Sequence, residues 1–306
     1  MSGGWVAGTV RARSLVRRAI GDAGSHDLAA GPALSDALLR LSATSYGRGL
    51  SADATLAEAE HTVGDAALWN LRVLAGWLPR AGLTVLSVLA ADYEIRNVAD
   101  RLLALTGRPV PAPYELGALA RAWGSAAGAG SPAEVRGALT SSPWGDPGSA
   151  EPAALLAGLR LSTASRLAEL HDATRPWGCG LAAIVYARER FLRDAALPAS
   201  DARVAATIGP AARAADWPGF VASLPARSAD WPFEGLAEPS ELWRAEERWW
   251  TRVRRDSERL LHAPGFGPEI VIGCAQTLLA DAHGVCAALE AVSRDGHGIG
   301  DGHVRD

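Results

Sequence analysis

One stretch near the C-terminal end sets the fold class. Val271, Cys274, Leu278, Ala282, Val285 and Leu289 stay on one face when residues are placed 100° apart. That is the signature of a long amphipathic α-helix with its apolar stripe turned to a core. Elsewhere the same spacing recurs and period-2 alternation of β-branched residues is scarce. Leu68, Leu71, Leu74 and Leu78 predict a helix that Pro79 and Gly82 stop. Leu86, Leu89, Tyr93, Val98, Leu102 and Leu105 predict another, closed by Gly107 and Pro109. Residues 241–261 place Leu242, Trp249, Trp250, Val253, Leu260 and Leu261 on the apolar side. Their polar side mixes arginines with five acids, the pattern of a solvated, ion-paired face. The expected fold class is all-α. Gly-, Pro- and Ser-rich breaks fall at 107–113, 124–132, 141–152 and 262–268. The tetrapeptide Ala-Asp-Trp-Pro at 215–218 and 229–232 reads as two helix-starting loops anchored by Trp217 and Trp231. The polar, Gly-rich tail 296–306 is expected to fray.

Composition narrows the chemistry. The 306 residues carry a net charge of −4 and no lysine, so all 30 strongly basic side chains are arginine. Without a lysine there is no Walker A phosphate loop and no Schiff-base or pyridoxal-phosphate chemistry. Serine–lysine acyl transfer and the kinase lysine are excluded as well. A codon preference for Arg and Ala accounts for the bias, and the chemical consequence holds regardless. The slightly acidic balance argues against a dedicated nucleic-acid binder. Cys179, Cys274 and Cys286 form no paired metal spacing, and their odd number fits a reduced cytosolic interior. The most membrane-like run, 270–292, is interrupted by Asp281, His283 and Glu290.

No catalytic signature stands out. His-Glu-x-x-His and Gly-x-Ser-x-Gly are absent, and Gly265-Phe266-Gly267 lacks the third glycine of a dinucleotide fingerprint. His297 and His303 in the tail are too loosely placed to define a metal site, and no cofactor is expected. Cys274 and Cys286 read as small core residues. An enzymatic alternative needs acids and a histidine converging from facing helices, with Glu60, His61, Asp92 and Glu94 as its best set.

A longer echo runs through the chain. The stretch from Leu89 to Leu102, one around Val185–Arg193 and one around Leu279–Leu289 suggest three helical units of about 95 residues. The corresponding boundaries are 1–112, 113–207 and 208–306.

Three segments then carry a family resemblance. Gly4-Trp5-Val6-Ala7-Gly8-Thr9-Val10-Arg11-Ala12-Arg13 resembles the N-terminal helix of the V/A-type rotary ATPase subunit called C in prokaryotes and d in eukaryotes. Leu41-Ser42-Ala43-Thr44-Ser45-Tyr46-Gly47 is similar to that family's Leu-x-x-Thr-x-Tyr-Gly element. Asp92-Tyr93-Glu94-Ile95-Arg96-Asn97, with the closing Thr106-Gly107-Arg108-Pro109, resembles its next helix and turn, and Tyr114-Glu115-Leu116-Gly117 then opens a second unit. Residues 242–261 and 268–292 resemble its last two helices. The likeness covers residues 4–120 and 240–292 and thins between, where the Trp-Pro loops depart from the family. It implies a funnel of three related helical bundles around a pseudo-threefold axis. It also implies a non-catalytic seat, cytoplasmic and peripheral to the membrane, between the central shaft and the proteolipid rotor ring, serving ion (proton) transport. Arg11, Arg13, Tyr46, Asp92, Tyr93 and Asn97 match family positions and are expected to hold helices together. Arg244, Arg248, Arg252 and Arg255 are the expected partner contacts. The rivals are a stand-alone helical enzyme and a helical scaffold.

Overall fold

Every regular element in the computed structural model, which describes residues 3–194 and 202–300, is helical. The α-helices are α1 (Gly3–Val16), α2 (Gly21–Ala29), α3 (Leu34–Ser42), α4 (Leu56–Ala75), α5 (Arg80–Leu89), α6 (Ala91–Ala104), α7 (Trp123–Ala126), α8 (Pro132–Thr140), α9 (Pro152–Leu170), α10 (Arg175–Ala187), α11 (Ala202–Ile208), α12 (Trp217–Ser223), α13 (Leu242–Leu261) and α14 (Pro268–Gly300). The all-α class is as expected. Local chemistry explains many of the starts. Thr55 and Glu58 form a reciprocal capping box at α4. Ser131, Glu151 and Asp216 accept backbone N–H bonds at α8, α9 and α12, with proline at the first helical position of α8 and α9 and at the second of α12. Asp216 thereby makes the first Trp-Pro loop a helix start, and Asp230 precedes a short 3-10 turn, Trp231–Phe233.

Some boundaries differ from expectation. Gly82 lies inside α5, and Pro79 precedes that helix instead of ending the one before it. The stripe from Leu86 to Leu105 is split at Ala90 into two helices. Helical spacing survives the break, so the periodicity hid it. Gly107 has φ +81, a left-handed conformation open to glycine, and closes the second of them. Residues 296–300 are the last of α14, and the rest of the expected tail, 301–306, lies outside the described residues.

The chain divides into two compact units. The first comprises residues 3–86, 115–118 and 257–300. Here α14 is the central helix and packs against α1, α2, α3 and α4. Its expected stripe, from Val271 to Leu289, is buried throughout. By length and composition alone α14 is apolar enough to cross a bilayer. Gly8 allows α1 close approach, since a Cβ there would sit 2.3 Å from a Leu78 methyl. Cys274 lies in this core, donates to the Ala12 carbonyl at 3.0 Å, and is pushed up by burial to about 12, so it stays a neutral thiol.

The second unit comprises residues 87–114, 119–194 and 202–256. The hairpin α9–α10 is its spine, with α6 and α11 also against α9. Ile95, Val98, Leu102, Val135, Leu139, Trp144, Leu155 and Leu159 form one core cluster. A second is aromatic: Phe220 lies 5.4–6.0 Å from the rings of Tyr186, Phe191, Trp217 and Phe233.

Candidate interaction surface and its buried supports

The Leu-x-x-Thr-x-Tyr-Gly element after α3 is a hydroxyl-locked turn. Thr44 Oγ1 donates to the Leu41 carbonyl at 2.7 Å and accepts from the Tyr46 N–H at 3.2 Å. The Gly47 N–H then donates to the Thr44 carbonyl at 3.2 Å. After α8, in the other unit, Leu139, Ser142, Trp144 and Gly145 repeat the pattern. Ser142 Oγ donates to the Leu139 carbonyl at 2.6 Å and accepts from the Trp144 N–H at 3.1 Å, and the Gly145 N–H reaches the Ser142 carbonyl at 3.1 Å. Both aromatic rings are buried. Each glycine is required: a Cβ at Gly47 would lie 1.9 Å from the Ser42 carbonyl oxygen, and Gly145 has φ +75. Just beyond, Asp146 takes two 2.8 Å bonds from Arg136 and one from the Gly148 N–H, which hold its carboxyl down to about 2. A depressed carboxylate contributes fully above its unfolded value near 4 and loses that contribution as pH falls through about 2. The pair is well exposed, so solvent screening leaves that contribution small. Carboxyl NMR is expected to place the Asp146 titration near 2, and nearer the ordinary value in Arg136→Gln.

Several of the residues expected to hold helices together sit at buried polar ties. Tyr46 donates its hydroxyl to Asp281 at 2.7 Å, and Asp281 also accepts the N–H groups of Ile20 and Gly21 at 3.0 and 2.7 Å. One carboxylate on the apolar helix α14 thus joins the turn after α3 to the start of α2. Such a buried charge is tolerable because it is fully hydrogen-bonded. Tyr46→Phe is expected to cost about 1–2 kcal/mol in urea unfolding of the first unit, with a smaller effect in an Asp281→Asn background. In the second unit Asn97 donates to the Tyr114 carbonyl at 2.9 Å and accepts the Tyr114 N–H at 2.7 Å. Tyr93 packs edge-on against Tyr114, centroids 5.0 Å apart. Asp92 pairs with Arg96 on the exposed side of α6. Arg11 and Arg13 behave differently from each other. The Arg11 Nε is buried and has no hydrogen-bond partner, whereas Arg13 is exposed on the outside of α1.

The arginines of α13 are largely engaged inside the second unit. Arg248 donates to the carbonyls of Pro232 and Glu234. Arg252 pairs with Asp256 at 3.3 Å and stacks over Trp231 at 4.5 Å. Together they clamp the second Trp-Pro loop onto α13. Arg255 also reaches Asp256, and Arg244 pairs with Glu241 while lying over exposed Trp243. Of the four expected partner contacts, Arg244 and Arg255 present the more exposed side chains.

The four residues of the enzymatic alternative are engaged separately. Glu60 and His61 lie on α4, where His61 faces Asp65 at 3.5 Å. Asp92 and Glu94 lie on α6. Glu94 is 1% exposed and accepts the N–H groups of Arg121, Ala122 and Trp123 at 2.6–3.0 Å. It fixes the start of α7, with both carboxylate oxygens engaged by backbone N–H groups. Beside it, burial and the neighbouring Arg166 push Arg121 down to about 10, so it remains charged at neutral pH. Among the described residues no three His, Cys, Asp or Glu side chains gather to hold a metal. Sequence reasoning treated Asp281 as an interruption of an apolar run and Glu94 as a possible acid. A lone carboxylate inside an apolar helical stripe is itself the signal of a buried tie. No family model and no curated protein matches this chain.

Proposed function

We propose that the chain is a non-catalytic central-stalk subunit of a V/A-type rotary ATPase, seated between the shaft and the proteolipid ring and coupling rotation to ion transport. The observation that carries this reading is the recurrence of the hydroxyl-locked turn. Tyr46 and Trp144 hold equivalent places in it, 98 positions apart, close to the repeat length suggested by the sequence echoes. Each turn stands between a short helix and a long one: α3 and α4, then α8 and α9. After α12 and before α13, Ser228 and Trp231 occupy a related place, with Trp231 Nε1 donating to the Ser228 carbonyl at 3.1 Å. The two locked turns, with the looser Ser228–Trp231 place as a third, support the three-bundle funnel implied by the resemblance. The buried polar groups at Asp281, Asn97 and Glu94 are all used to fasten helices, which suits a part that transmits torque through stiffness. The absence of lysine leaves the nucleotide chemistry to other subunits.

The test is affinity purification of the tagged chain from its own cells under conditions that keep rotary complexes intact. The central-shaft and ring subunits are expected in near-equal amounts, and the isolated chain is expected to hydrolyse no ATP. Recovery of a different assembly, or of the chain alone, rejects the proposal.

A further inference from the structure

The outer face of α1 carries a concentration of unpaired positive charge. Four arginines, Arg11, Arg13, Arg17 and Arg18, precede the first acidic residue of the chain, Asp22. Gly8, Ala12 and Leu15 turn one side of α1 to the core. At 100° per residue the opposite side presents Val6, Val10, Arg13 and, in continuation, Arg17, and all four are exposed. Just beyond, Arg18 lies over the Trp69 ring at 5.2 Å and Arg48 over the same ring at 6.0 Å. Trp69 is still 37% exposed. Arg13, Arg17, Arg18 and Arg48 form no ion pair among the described residues, whereas Arg72, Arg96, Arg136, Arg193, Arg244 and Arg252 all have carboxylate partners. The helix dipole favours a cation in the last turn of α1 by about 0.3–1 kcal/mol, which accounts for one arginine there. It does not account for Arg48 or for the stacking on Trp69.

We infer that this surface of the first unit docks an acidic amphipathic helix of a partner protein. Arg18 spends one N–H on Asn70 Oδ1 at 3.4 Å, and the remaining guanidinium N–H groups over Trp69 offer the fork that a carboxylate takes bidentately. Arg13 and Arg17 are one turn apart and match carboxylates spaced one turn apart on another helix. Val6 and Val10, also one turn apart, supply the apolar seam beside them. A tryptophan already engaged by two arginines is poorly placed to stack on a base or to insert in a bilayer, and valines are weak membrane anchors. A protein carboxylate therefore fits better than nucleic acid or lipid. The inference stands apart from the rotary reading and is tested without any rotary subunit.

The probe is a labelled helical peptide of about four heptads, with leucine at the a and d positions and glutamate at e and g. Its twin carries lysine in place of glutamate. Fluorescence anisotropy against the full chain is expected to show binding of the acidic peptide only, weakening as salt rises from about 0.05 to 0.3 M. Arg13→Gln/Arg17→Gln is expected to weaken it about tenfold, and Arg48→Gln alone by a smaller factor, with thermal melting unchanged in both. These side chains are exposed and unpaired, so folding is not at stake. No binding of the acidic peptide, equal binding of its twin, or unchanged affinity in the double variant overturns the inference. So does tighter, arginine-dependent binding to phosphatidylserine-containing vesicles or to single-stranded oligouridine.

Discussion

Glu94→Ala is expected to be the most damaging single side-chain truncation in the second unit, at about 3–5 kcal/mol. The carboxylate accepts three backbone N–H groups, and those of Ala122 and Trp123 approach to 2.6 and 2.7 Å. Removing it leaves donors of a short helix start facing a core position with no acceptor. A four-residue helix such as α7 has little stability of its own and depends on that anchor. Glu94→Gln keeps the shape and one acceptor oxygen, and is expected to cost about 2 kcal/mol. The readout is hydrogen exchange over residues 119–145 together with urea unfolding. The loss should appear first as faster exchange at Arg121, Ala122 and Trp123 and then spread to α8. Protection unchanged in both variants contradicts the anchoring role.

Gly178→Ala is expected to be nearly as severe, for a steric reason. A Cβ at this position in α10 would lie 2.2 Å from the Ala168 nitrogen and 2.4 Å from the Ala164 carbonyl oxygen, both backbone atoms of α9. Backbone cannot rotate away as a side chain can, so the hairpin must spread along its whole contact. The expected cost is about 3 kcal/mol, at the upper end of overpacking in a well-filled core. Gly137→Ala is the control. Gly137 is an exposed glycine of α8 with nothing within 4 Å of an added Cβ, and alanine there is expected to stabilise by about 0.5–1 kcal/mol. Paired thermal and urea melts of the two variants separate close packing from simple helix propensity. Equal effects at both positions contradict this account.

The sequence made the helices legible wherever short-range physics decides them. The α14 stripe, the extent of α13 and the helix start at the first Trp-Pro loop follow from spacing and local chemistry within a few residues. The buried ties were not legible, because their partners lie far off in the chain. Asp281 meets Tyr46 across 235 positions and Ile20 across 261. Glu94 meets its three donors across 27 to 29. Periodicity also misled at Ala90, where the apolar pattern continues through a break between two helices. The α13 arginines show the same limit. Their charge was readable, but the Pro232 and Glu234 carbonyls and the Trp231 ring that occupy Arg248 and Arg252 were not. The exposed arginines around Trp69 needed the converse information, namely which charges the folded chain leaves unpaired.

The proposed role is mechanical, so the most direct measurement is coupling. Membranes from cells lacking this chain are expected to retain ATP hydrolysis by the V/A-type catalytic head while ATP-driven ion transport is lost. Adding the purified chain back is expected to restore transport without raising hydrolysis in the head alone. Transport that persists undiminished without the chain contradicts the account.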